Sequence, residues 1–160
     1  MTSTTPLTNP GVRFPPPFVY LGGLLAGYGI DRYVYPLPLP HARHLSVHVA
    51  GVVIAIFGMA LVAWGMRTFR AARTAIIPFH AASRLVDAGP YRFTRNPMYT
   101  GMAIAYLGIA TMLGTLWPFI FLPIVLVIIA SFVIAREEAY LGDAFGADYA
   151  AYCSRVRRWL

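Results

Sequence analysis

Two apolar stretches dominate the chain. Leu45 to Met66 runs for 22 residues with His48 as its only titratable side chain, and Met98 to Ala135 runs for 38 residues without a charge. A helix needs roughly 20 predominantly apolar residues to cross a hydrocarbon core, fewer where aromatic and basic flanks reach the interface. The first stretch therefore predicts one span over 45–66. The second is too long for one ordinary span. Gly114-Thr115-Leu116-Trp117-Pro118 places turn residues and an interfacial aromatic near its middle, so it predicts a hairpin of spans 98–113 and 118–135. A weaker span covers 18–35, where a short apolar run meets Asp31 and Arg32; its Gly22, Gly23, Gly27 and Gly29 are expected to let a neighbouring helix approach closely.

After Ala135 the pattern changes. Leu141, Phe145, Tyr149, Tyr152 and Val156 recur at steps of three and four, the spacing of one apolar helix face. An amphipathic helix is thus expected to leave the last span and pack back over the loop 67–97. The expected fold class is all-α, an integral membrane protein of about four transmembrane helices plus a C-terminal cytoplasmic amphipathic helix. No repeat or low-complexity linker divides the chain, so residues 1–160 read as a single domain with a tail over 136–160.

Composition supports the membrane reading and charge gives it a direction. The chain is 58% hydrophobic and 12% charged, too little polar surface to cover a water-soluble domain of 160 residues. All 13 basic residues are Arg, opposed by six carboxylates, for a net charge of +7. In an apolar chain such charge orients the loops in a bilayer, and no nucleic-acid partner is expected. The loop 67–97 holds Arg67, Arg70, Arg73, Arg84, Arg92 and Arg95, the tail holds Arg136, Arg155, Arg157 and Arg158, and the opposite loop holds only Arg32 and Arg43. Both termini and the central loop are therefore expected in the cytoplasm. An Arg-only, Ala-rich composition points to a prokaryotic inner membrane. No cleavable signal peptide is expected, because Met1 to Gly11 has no basic n-region and Pro15, Pro16 and Pro17 precede the first apolar run. A single cysteine, Cys153, excludes an intrachain disulfide.

Polar residues cluster where the last two spans meet the cytoplasm. One cluster is Gly89-Pro90-Tyr91-Arg92 followed by Arg95-Asn96-Pro97-Met98-Tyr99 and Gly101; the other is Arg136-Glu137-Glu138. A hairpin of the two spans brings both to one level, so a single pocket can draw on both. Away from it, His41, His44 and His48 are spaced for one helix face but are expected to be interfacial polar residues and not metal ligands, and Asp31 is expected to pair with Arg32.

The order of these residues resembles the isoprenylcysteine carboxyl methyltransferase and phospholipid methyltransferase superfamily, whose pattern is Gly-x-Tyr, Arg-His-Pro-x-Tyr, a helical hairpin, Glu-Glu, and Leu-x-x-x-Phe-Gly-x-x-Tyr-x-x-Tyr. The corresponding residues are Gly89 and Tyr91; Arg95, Pro97 and Tyr99; Glu137 and Glu138; and Leu141, Phe145, Gly146, Tyr149 and Tyr152. The likeness covers about Thr74 to Trp159. It implies a membrane methyltransferase using S-adenosylmethionine, with membrane lipids around it, a lipophilic substrate entering from the bilayer, and no metal. It further implies that the cofactor lies against Ser83, Arg84, Leu85, Val86, Tyr91, Asn96, Pro97, Met98, Tyr99 and Glu137, with Glu138 supporting from behind; for an acceptor that must first lose a proton, Glu138 and Tyr99 are the catalytic candidates. Two positions depart from the pattern. Asn96 replaces His and removes a titratable group. Phe132-Val133-Ile134-Ala135 is apolar where the eukaryotic carboxyl methyltransferases carry a substrate-binding Arg, which argues against a prenylcysteine carboxylate as acceptor. The rival readings are an NADPH-dependent reductase of the sterol type and a non-catalytic membrane subunit; acceptor and oligomeric state stay open.

Overall fold

A computed structural model describes residues 14–72 and 85–159, which are helical apart from short connections and one isolated bridge between Pro38 and Thr115. Helix α1 spans Pro16–Tyr33, α2 Leu45–Ala71, α3 Pro97–Leu113 and α4 Trp117–Ile129; a π-helical turn, Ala130–Ile134, leads into α5, Ala135–Arg155. Proline opens α1, α3 and α4, where a missing N–H costs nothing and the fixed φ suits the first turn. Gly114, at φ 69°, ends α3 in the left-handed conformation and makes the hairpin possible.

The tightest packing is between α2 and α3, and it is built from glycine. Gly51, Gly58 and Gly65 recur every seven residues on α2, facing Gly101, Ala105 and Gly108 on α3. A methyl group on Gly58 would lie 2.3 Å from the Ala105 nitrogen and 2.5 Å from the Gly101 oxygen; one on Gly108 would lie 2.4 Å from the Ala55 nitrogen. The two backbones are in contact, in the manner of small-residue seams in membrane helices. Of the four α1 glycines, two serve as expected: Gly23 admits Val125 and Tyr106, and Gly27 admits Pro118, whereas Gly22 and Gly29 meet nothing within 4 Å.

Two described helices, Leu45–Ala71 and the continuous Trp117–Arg155, are long and apolar enough to cross a membrane; Pro97–Leu113 is apolar but shorter. On α2, Leu45, Ile56 and Phe57 are each more than 60% exposed, an uncovered apolar face suited to lipid. The chain is thus compatible with a bilayer, with two candidate spans by length and composition.

The tail helix continues directly from the last apolar segment: α4 runs through the π turn into α5, and the redirection comes at Gly146, at φ 49° and ψ −117°. The π turn has a physical reason. Val125, Ile129, Val133 and Glu137 are spaced by four, and each such step overshoots a 3.6-residue turn by about 40°. The wider π turn takes up part of that drift, leaving Ile129 and Val133 fully buried and Glu137 turned inward. Asp31, in turn, does not spend its carboxylate on Arg32. It accepts hydrogen bonds from the Leu37 amide at 2.8 Å and the Thr115 hydroxyl at 2.7 Å, pinning the connection after α1 to the α3–α4 turn. Trp117 reinforces this end by donating from its indole to the Tyr35 carbonyl at 2.8 Å.

Candidate functional site

At the opposite end, near the starts of α1 and α3, the two polar clusters converge. The Tyr99 hydroxyl, in the first turn of α3, donates to Glu137 Oε1 in the first turn of α5 at 2.6 Å. Tyr20 of α1 donates to the Tyr99 carbonyl at 3.0 Å, so three helices fix the position of Tyr99. Tyr91 reaches the same region from the short 3₁₀ turn Gly89–Arg92. That turn is possible because Gly89, at φ 58°, lies against Thr68 and Trp64, where a methyl group would sit 2.6 Å from the Thr68 hydroxyl. The Tyr91 ring then packs edge-on to Phe69 at 5.1 Å, over Gly65, whose missing side chain leaves room for Met98 and the Tyr91 hydroxyl.

The Tyr91 hydroxyl is buried without a hydrogen-bond partner. Burial, helped by the Glu137 carboxylate and then Tyr152, holds its proton far above the ordinary phenol range. It is a donor in want of an acceptor. Glu137 lies two residues beyond the charge-free stretch, and burial pushes its carboxyl up to about 7, against the Tyr99 hydrogen bond, which favours the anion, while Glu138 adds to the rise. A half-buried carboxyl near neutrality close to an unsatisfied hydroxyl suits a ligand that carries positive charge and acceptor atoms.

Glu138 faces elsewhere. Its carboxylate is gripped through both oxygens by Arg158, and Arg95 lies 3.4 Å away. Two guanidinium groups thus occupy both of its oxygens. Asn96, buried at the start of α3, donates from its side chain to the Arg158 carbonyl at 3.0 Å, so its amide ties down the tail. Pro97 and Val86 are buried and Leu85 and Met98 half-buried around the Tyr91–Tyr99 region of the chain; Ser83 and Arg84 lie outside the described residues. Among the described residues no group of His, Cys, Asp or Glu could hold a metal, and His41, His44 and His48 are exposed. Three contributors escaped the sequence reading: Tyr20, Gly65 and Arg158. Only Gly65 left a signal, the seven-residue recurrence with Gly51 and Gly58.

Replacing Tyr99 by Phe removes the donor to Glu137. The expected loss of stability is about 2 kcal/mol at pH 8, where the buried carboxylate is charged, and about half that at pH 5, where it is protonated. Thermal unfolding in detergent at the two pH values checks this, and equal losses would refute the charged-acceptor account.

A profile of the phospholipid methyltransferase family matches residues 46–148, which takes in α2, both polar clusters and the start of α5. An uncharacterised protein of Haemophilus influenzae is 38% identical over 63 residues, 39% of this chain and the whole of that protein. No solved structure matches the chain. With more than half its length matched, and the site formed by segments inside the match, the chain belongs to the phospholipid methyltransferase family.

Proposed function

We propose that the protein is an integral membrane methyltransferase that takes its methyl group from S-adenosylmethionine and passes it to a lipophilic or small hydrophobic acceptor bearing an amine, thiol or carboxylate. The supporting observation is the hydrogen-bonded pair of half-buried Glu137 and buried Tyr99 close to the unpartnered Tyr91 hydroxyl. These groups suit the cofactor: its ammonium and ribose hydroxyls call for a carboxylate, and its acceptor atoms for a donor such as Tyr91. Leu85, Val86 and Met98 supply apolar surface of the kind an adenine ring needs. We further read the four apolar segments as four spans of a prokaryotic inner membrane, with both termini and the site cytoplasmic, since ten of the thirteen arginines fall in the central loop and tail.

When bound, S-adenosylmethionine supplies an already activated sulfonium methyl, so the protein's work is alignment and exclusion of water. Glu137 anchors, and Tyr99 fixes the oxygen of Glu137 that it meets. An acceptor that must first lose a proton leaves Tyr99, hydrogen-bonded to Glu137, as the candidate to assist. Glu138, occupied by arginines, assists through position and not by abstraction.

Calorimetric titration of the purified protein in detergent with S-adenosylmethionine, and with its demethylated product, tests the proposal. Micromolar binding of both is expected. A well-folded protein that binds neither would remove the methyl-donor reading and favour a non-catalytic membrane subunit.

A further inference from the structure

The last residues of the described chain make contacts that the methyl-transfer reading does not use. Arg157 and Arg158 lie beyond residue 148, where the family match ends, yet their backbone and side chains lock the two halves of the site together. The Arg157 carbonyl accepts from the Arg95 amide at 2.9 Å. The Arg158 carbonyl accepts from both the Thr94 hydroxyl at 3.1 Å and the Asn96 side chain at 3.0 Å. The Arg158 guanidinium, meanwhile, reaches Glu138 in a two-pronged pair that Arg95 joins. Trp159 adds an apolar anchor by packing against the core that contains Tyr20 and Tyr99.

Thr94, Arg95 and Asn96 lead directly into the turn that carries Tyr99, and Glu138 is the neighbour of Glu137. The tail thus holds the segment before Tyr99 by its carbonyls and the residue after Glu137 by its charge. We infer that Arg158 is a positioning residue: the C-terminal segment Arg157–Trp159 is a latch that sets the separation of Tyr99 and Glu137 and so the affinity for the methyl donor. This rests on the reading of the site as a methyl-donor site. The energetic case is that most surface ion pairs contribute little, but a two-pronged guanidinium pair on a largely covered carboxylate, reinforced by three hydrogen bonds to backbone carbonyls, fixes geometry. An anchoring carboxylate displaced by even a fraction of an ångström loses much of its directional contact with a bound cation.

The test uses the full-length protein in detergent and two readouts. In amide hydrogen exchange without ligand, Arg158→Ala is expected to deprotect Arg95 and the first turn of α3 while leaving the middle of α2 unchanged. In calorimetry, Arg158→Ala is expected to raise the Kd for S-adenosylmethionine on the order of 10-fold at an unchanged unfolding midpoint. Arg158→Lys, which keeps charge but not the two-pronged contact, should fall between. Because both partners act through one contact, Glu138→Gln combined with Arg158→Ala should weaken binding no more than the stronger single change. Wild-type affinity in Arg158→Ala, with binding lost only in Glu137→Gln, overturns the latch and leaves the methyl-donor site standing. No binding by the wild type overturns the methyl-donor reading and with it the latch's effect on affinity. Unchanged exchange at Arg95 overturns the latch in either case.

Discussion

Glu137→Gln is expected to abolish S-adenosylmethionine binding, raising Kd by at least about 100-fold, without unfolding the protein. Truncating one side of a buried, hydrogen-bonded charge pair costs roughly 2–5 kcal/mol of binding, and the loss of the Glu137 anion removes the one buried carboxylate that Tyr99 holds in the site. Glutamine has the same shape and still accepts from the Tyr99 hydroxyl, so the local packing persists. It also removes a buried ionisable group, whose charged form costs the fold stability. At pH 8 the variant should therefore unfold at the wild-type temperature or above it, while binding is gone. That combination separates a ligand anchor from a packing residue, because a residue retained only for packing would lose stability and binding together. Calorimetry and thermal unfolding on the same samples decide between them.

The raised carboxyl of Glu137 gives the same residue a pH signature. Its folded value, pushed up to about 7 from the ordinary 4.5, means that the folded protein holds this proton more tightly than the unfolded chain does. The Glu137 contribution to stability is thus fully present below the unfolded value and is lost as pH rises through the folded one. A cationic ligand reverses the preference, since it binds the anion. Apparent affinity for S-adenosylmethionine is expected to weaken about tenfold for each pH unit below the folded value and to level off above it, with a proton released on binding in the lower range.

The sequence marks the candidate residues better than the contacts that hold them. Tyr91, Tyr99 and the Glu137–Glu138 pair stand out because polar side chains flanking charge-free stretches have few reasons to be there. Positive charge concentrated in two segments, ten of the thirteen arginines, likewise put both clusters at one end. What stayed hidden depended on three-dimensional register. Glu137 and Glu138 are adjacent and chemically identical, and nothing in the chain says which one faces Tyr99; the π turn at 130–134 and the rotation of successive residues around α5 decide it. Arg158 was equally obscure, one of four tail arginines until the kink at Gly146 brings it back to Glu138. Asp31 misled because sequence adjacency to Arg32 suggested a pair, whereas a carboxylate near a helix end finds the amides and hydroxyls of the next turn more accessible.

The largest expected effect on the fold comes from a single methyl group far from the site. In Gly58→Ala the new carbon would lie 2.3 Å from the Ala105 nitrogen, 2.5 Å from the Gly101 oxygen and 2.9 Å from the Ala105 Cα. All three are backbone atoms, so no rotamer change relieves the clash and α2 must move away from α3 along the seam. Overpacking of this kind costs about 1–3 kcal/mol, more where the backbone cannot yield, against a helix-propensity gain of up to about 1 kcal/mol for replacing glycine. At Gly22, where nothing lies within 4 Å, the same substitution keeps only the gain. Thermal unfolding in detergent should therefore show Gly58→Ala well below wild type and Gly22→Ala at or above it. Equal midpoints for the two variants would mean that the helices do not touch through Gly58. The consequence extends to binding, because Gly65 continues the same seam and seats both Met98 and the Tyr91 hydroxyl. Separating the helices at Gly58 loosens that seat, so Gly58→Ala protein that remains folded at low temperature should also bind S-adenosylmethionine more weakly, while Gly22→Ala protein binds as the wild type does.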